Sequence, residues 1–154
     1  MKPTLYTLGY QLRSPAEYFA LLNAATIDVL IDVRDVPWSH KPGFAKAALS
    51  KAATDRGIEY VHAGFAGNPK RLRAKGKSSA ELLTAYRGHL KEAPHVMTEF
   101  MALVEGYVRK RKRVCLICYE RQPDECHRSV LASRWSRRTG GKVVHLGVDP
   151  ELDL

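Results

Sequence analysis

The sequence predicts a three-layer α/β/α fold: a mostly parallel sheet of about five strands with helices on both faces, in a single domain spanning residues 1–154. Three observations lead there. Short apolar runs alternate with helix-length segments along the whole chain. The run Asp28-Val29-Leu30-Ile31-Asp32-Val33-Arg34 is almost continuously apolar between its charges, as a strand buried on both faces reads. Helix-start signatures and glycine stops fall between the runs, where crossover helices must begin and end.

Residues 4–9 are the first strand. Ser14-Pro15-Ala16-Glu17 is a capping box with proline at the first helical position, opening a helix to about Ala25 in which Tyr18, Leu21 and Leu22 share a face. Residues 28–34 follow as the second strand. Side chains alternate along it, so Asp32 and Arg34 leave on the same side and are able to pair. Pro37 and Lys41-Pro42-Gly43 mark the next loop. A helix over residues 44–56 is rich in alanine and stops at Gly57; a strand over 58–62 and a long loop over 63–77 come next. A second capping box, Ser78-Ser79-Ala80-Glu81, opens a helix to about Glu92, and Pro94 begins another that ends in a basic run. Residues 114–119 are the fourth strand and 120–125 a loop. Cys126 or His127 opens a helix that ends at Gly140-Gly141, and residues 142–146 are the fifth strand. Sites in such sheets gather beyond the carboxyl ends of the strands: here Gly9-Tyr10, residues 32–35, Val61-His62 and residues 118–120.

Composition narrows the partners. The formal net charge is +9, much of it in two runs, residues 70–77 and 109–113. The second reads as a helix end balanced against its dipole. The first lies in a glycine-containing loop and is open to phosphate contact through Lys70, Arg71 and Arg73. No apolar run approaches the roughly 20 residues needed to span a bilayer, so no membrane partner is expected. The first residues enter a strand-like pattern rather than a signal-peptide core, which makes the cytoplasm the expected compartment. Three cysteines, Cys115, Cys118 and Cys126, argue by their odd number against a disulfide framework.

The densest chemistry lies between Cys118 and Arg128, a strand end leading through a loop into a helix. Cys118, Glu120, Cys126 and His127 are the catalytic candidates, with Asp32 at a facing strand end. Backbone N–H groups at a helix start favour anions and are expected to lower the pKa of Cys126. Arg34 and Arg128 are expected to hold an anionic substrate through charge-assisted bonds, with Tyr10, Ser39, His62 and Tyr86 as further binding candidates. Plainer readings stand beside these. Cys115 and Cys118 also suit a core, Asp32 and Arg34 a structural ion pair, and residues 126–128 an exposed, capped helix start. Zinc on Cys115-x-x-Cys118 with Cys126-His127 is not expected, because residues three apart on a strand point to opposite faces. No metal and no cofactor are assigned. Cys115 to Arg121 has the Cys-x5-Arg spacing of a phosphatase loop, but Cys115 stands near the start of its strand and the segment lacks glycine.

With these residues in hand, the chain resembles the bacterial and archaeal family called domain of unknown function 488, over residues 7–146. The resemblance rests on Thr7-Leu8-Gly9-Tyr10, on Ile31-Asp32-Val33-Arg34 with Pro37 and Ser39, and on Tyr60-Val61-His62 and Tyr86. Its most specific part is Cys118-Tyr119-Glu120 with Cys126-His127-Arg128. It implies a fold and no particular reaction. Residues 28–34 are also similar to the early strand of rhodanese-like domains. Cys118 then falls where their persulfide cysteine sits, and Arg128-Ser129 resembles the end of their active-site loop. That layout implies that the second and fourth strands are neighbours.

The first functional expectation is an enzyme acting on a small anionic or nucleotide-like substrate. Glu120 or Asp32 would be the acid/base, and Cys118 or Cys126 the nucleophile or redox centre. One alternative is a nucleic-acid-binding or processing module using the basic surface. The other is rhodanese-like sulfur transfer or thiol-redox chemistry with a persulfide on Cys118. The oligomeric state is left open.

Overall fold

The computed structural model describes residues 2–148; Met1 and residues 149–154 of the expected domain lie outside the described residues. Five strands, β1 (Thr4–Gly9), β2 (Val29–Asp32), β3 (Glu59–His62), β4 (Val114–Cys118) and β5 (Lys142–His145), form one sheet in the order β3-β2-β4-β1-β5. Every ladder is parallel, and β2 lies beside β4, as the rhodanese-like layout implied, with Asp32 opposite Ile117. Five α-helices connect them: α1 (Pro15–Ala24), α2 (Lys46–Asp55), α3 (Ser79–Glu92), α4 (His95–Val108) and α5 (His127–Thr139). No helix among the described residues is long and apolar enough to cross a membrane.

Local chemistry sets the helix ends. The Ser14 side chain accepts from the Glu17 N–H at 3.1 Å, and Pro15 gives up no hydrogen bond at a position whose N–H has no helical partner. Ser78 and Glu81 close a reciprocal capping box on α3. Gly140 ends α5 in the left-handed region at φ 73°, a conformation that costs glycine little. The α2 helix starts at Lys46 rather than Phe44 because Phe44 has another task. Its ring is buried, and its carbonyl accepts from Arg34 at 2.7 Å.

The sheet is buried on both faces. Tyr6, Leu8, Leu30, Cys115 and Ile117 pack on one side against Tyr18 and Leu22 of α1 and Leu49 and Ala53 of α2. Leu5, Val29, Ile31, Leu116 and Cys118 pack on the other, against Tyr86 of α3, Phe100 of α4 and Leu131 and Trp135 of α5. Each large apolar side chain removed from water contributes about 1.5–3 kcal/mol before entropy is counted, so both layers are needed. Cys115 and Cys118 sit on opposite faces, as the strand period requires. The basic run after α4 is tied down locally. Arg109 pairs with Glu105 at 3.0 Å, and Arg113 donates to the carbonyl of Ala25 at 2.8 Å.

Candidate functional site

Connections diverge at the adjacent strands β1 and β4. The chain leaves β1 for α1 on one face and leaves β4 for α5 on the other, which opens a crevice beyond their carboxyl ends. Gly9 makes the approach possible, because a Cβ there would lie 1.8 Å from the Glu120 carbonyl oxygen. The segments beyond β1, β2 and β4 then surround a cleft of about 580 Å³. Its wall includes Tyr10, Arg34, Ser39, Arg73, Cys118, Glu120 and His127.

On the α1/α2 face, Asp32 is fully buried and grips Arg34 with both oxygens, Oδ1 to Nε at 2.9 Å and Oδ2 to Nη2 at 2.7 Å. Asp32 also accepts from the Arg34 N–H at 3.1 Å and from the Tyr60 hydroxyl. Burial and then the Asp32 carboxylate hold the Tyr60 hydroxyl well above its ordinary pKa. Arg34 spends two further donors on the Phe44 carbonyl at 2.7 Å and the Tyr10 hydroxyl at 3.3 Å, which leaves one of its five N–H groups unspent by these bonds. Tyr10 is stacked on Phe44 at 4.6 Å. His62 Nε2 lies 2.9 Å from the Arg34 carbonyl and stands outside the cleft wall.

On the opposite face the loop after β4 folds back. A 3-10 turn at Pro123–Glu125 returns Cys126 to the N-cap of α5, beside Cys118. Cys118, Cys126 and His127 are all buried, and His127 Nδ1 lies 3.6 Å from the Cys118 sulfur and 3.9 Å from that of Cys126. The other ring nitrogen, Nε2, lies 2.7 Å from the Val33 carbonyl, and the Tyr86 ring stands edge-on at 5.0 Å. Tyr86 itself donates to the Ala66 carbonyl at 2.6 Å and is held to the core rather than to the cleft. The expectation of a lowered Cys126 pKa fails here. Burial, reinforced by Cys118, pushes this thiol well above its ordinary value and outweighs the helix start.

Arg128 is also fully buried, on the α5 face, and so on the opposite side of the sheet from Asp32. Its guanidinium donates to the Glu120 carbonyl at 2.6 Å, the Arg121 carbonyl at 3.4 Å and the Thr7 hydroxyl at 3.1 Å. It clamps the loop that carries Glu120 and is not on the cleft wall. Asp32 and Cys126 likewise stand behind the wall.

Several wall residues were not singled out from the sequence. Gly67 packs so closely on Asp35 that a Cβ would lie 2.4 Å from its Cα, and this brings Asn68 to the cleft. Asn68 Oδ1 and Glu120 Oε2 are buried acceptors without a donor among the described residues. Trp38, 58% exposed, stands at the cleft with the His40 ring 4.1 Å away, and Tyr119 is half-exposed beside Tyr10. Lys41 adds a cation, its ammonium 3.5 Å from the Tyr10 carbonyl; Arg73, expected from the sequence as a phosphate contact, adds another, only 3.8 Å from Asp35. A tryptophan in the polar loop Pro37-Trp38-Ser39-His40 was the sequence signal available for Trp38, and the basic run over residues 70–77 the one for Arg73. Lys70 and Arg71 lie outside the wall; Arg71 is exposed and reaches His89 at 3.2 Å.

Comparison with known proteins finds no match among curated proteins. The model of one family, described as Domain of unknown function DUF488, matches residues 14–135, a narrower stretch than the resemblance over 7–146, with β1 and β5 outside it. The match takes in the whole Cys118–Arg128 loop and well over half of the chain, and so the chain belongs to the DUF488 family.

Proposed function

We propose that the protein is an enzyme acting on a small anionic, nucleotide-like substrate in this cleft. The observation that carries the reading is the pair of buried, donorless acceptors, Asn68 Oδ1 and Glu120 Oε2, in a wall that also presents cations and aromatic rings. Buried polar atoms without partners are costly, and a ligand carrying N–H or O–H donors removes the cost. Lys41, Arg73 and the remaining Arg34 donor suit the anionic end of such a ligand, and Trp38 suits a stacked ring. Glu120 is the acid/base candidate and Cys118 with His127 the reactive floor. Asp32 and Arg128 are positioning residues: one aims Arg34, the other holds the Glu120 loop.

The test is titration of the full chain with nucleoside mono- and diphosphates, read by Trp38 fluorescence and calorimetry. A charge-assisted hydrogen bond is worth about 1.5–3 kcal/mol, so Arg73→Ala should weaken binding by roughly tenfold or more. Binding that Trp38→Ala and Arg73→Ala both leave unchanged would remove the cleft from the reading, as would no binding at all.

A second reading, nucleic-acid binding, draws on the exposed basic segment Lys70, Arg71, Arg73, Lys75 and Lys77, which reaches the cleft at Arg73. Affinity for mixed oligonucleotides that falls steeply with salt supports it, and salt-independent affinity argues against it.

A further inference from the structure

We infer that Cys118, Cys126 and His127 form a transition-metal site of the zinc class, with two thiolates and one imidazole as ligands and a fourth position reached from the cleft. The ligand atoms all lie within 4.8 Å of one another, on three buried side chains. With zinc–sulfur and zinc–nitrogen bonds of about 2.3 and 2.05 Å, a tetrahedral sulfur–nitrogen edge is about 3.6 Å. The two edges found here are 3.6 and 3.9 Å.

The imidazole is already set as a ligand. The Val33 carbonyl accepts only, so Nε2 carries the proton and donates to it at 2.7 Å. Nδ1 is left with its lone pair directed toward the two sulfurs. An outer hydrogen bond from the second ring nitrogen to a carbonyl is the arrangement that fixes the tautomer of metal-bound histidines. Tyr86 packs edge-on against the ring.

Charge balance favours a dication. Uptake of one Zn²⁺ displaces the two thiol protons, forms two zinc–sulfur bonds and leaves a formally neutral centre, which a buried site tolerates. Cys118 and His127 line the cleft whereas Cys126 does not, so the exchangeable position lies on the cleft side. Three protein ligands and one open position are the ligand count of catalytic rather than structural zinc. Zinc was not expected on Cys115 and Cys118 with Cys126 and His127, because strand alternation separates the first two. Cys115 does face away, whereas the folded-back loop assembles the other three on one side of the sheet without it.

The test uses the reduced, metal-free full chain without nucleotide. One Zn²⁺ per chain, two protons released per zinc, and a thiolate-to-metal charge-transfer band with Co²⁺ are expected. Cys118→Ser, Cys126→Ser and His127→Gln should each weaken uptake by tenfold or more, and Cys115→Ser should leave it unchanged. The wild-type proton count and cobalt band need no variant, so a ligand variant that misfolds leaves the inference exposed to test. No uptake, uptake without a thiolate band, an unchanged band in Cys118→Ser, or loss in Cys115→Ser overturns it. Arg73→Ala should keep its zinc while binding nucleotide more weakly, which separates failure of this inference from failure of the proposed function.

Discussion

Replacing Asp32 by asparagine leaves the shape of the strand end nearly intact and removes its charge. Asp32 accepts from three Arg34 donors at 2.7–3.1 Å and from Tyr60, all without water contact of its own. Arg34 is itself only 5% exposed, so the variant strands a buried cation whose other partners are a carbonyl and a phenol. Breaking a buried pair from one side costs about 3–5 kcal/mol, a large share of the 5–15 kcal/mol that stabilises a typical domain. At roughly 2–4 °C per kcal/mol for a chain of this size, the melting temperature should fall by about 6–20 °C. Urea denaturation with an unchanged m-value is the assay. The exposed Lys51–Asp55 pair at 2.8 Å is the internal control, where Asp55→Ala should cost about 0.3–0.5 kcal/mol. Asp32→Leu combined with Arg34→Met should recover most of the loss, because the cation goes with its partner. A cost under about 1 kcal/mol for Asp32→Asn, or a double variant that loses the sum of two large effects, would refute the reasoning.

Other consequences are equally open to measurement. Gly9→Ala puts a methyl group 1.8 Å from the Glu120 carbonyl, and overpacking of that kind should cost about 1–3 kcal/mol and displace the cleft wall, seen as lost ligand binding in protein that still folds. Arg128→Lys replaces a three-way clamp with a single ammonium, so amide exchange across residues 119–126 should accelerate while β2 and β3 stay protected. Burial, with Arg128 adding repulsion, lowers the pKa of His145, so below about pH 6.5 the unfolded chain binds a proton that the folded one resists. Stability should therefore fall as pH drops through that window, and His145→Gln should flatten the decline. Burial raises the Cys115 thiol well above its usual range, so a pulse of iodoacetamide at neutral pH should label it only after denaturant is added, as peptide mass mapping will report.

The elements themselves were legible because each carries its own local chemistry. Ser14 and Ser78 announce helix starts, Gly140 a stop, and residues 28–34 a strand with two apolar faces. The Asp32–Arg34 pairing followed from strand alternation alone. What could not be read was which face a loop residue would join. Arg128 follows His127 by one position, yet helix geometry turns it toward Thr7 and away from the cleft. Cys126 stands at a helix start, but its pKa is decided by burial, a tertiary quantity that spacing does not contain. Asn68 and Lys41 reach the wall through the Gly67–Asp35 contact and the loop after β2, and neither bears a local mark in the sequence.

The position of β4 at the centre of the sheet has a consequence for synthesis. The first strand pairs only with β4 and β5, so it has no ladder until residue 114 has emerged from the ribosome. Until then Leu5 and Leu8, fully buried at the end, remain uncovered in the nascent chain. Pairings this distant in sequence make assembly slow and all-or-none, so a polypeptide arrested before Val114 should be protease-sensitive and chaperone-bound.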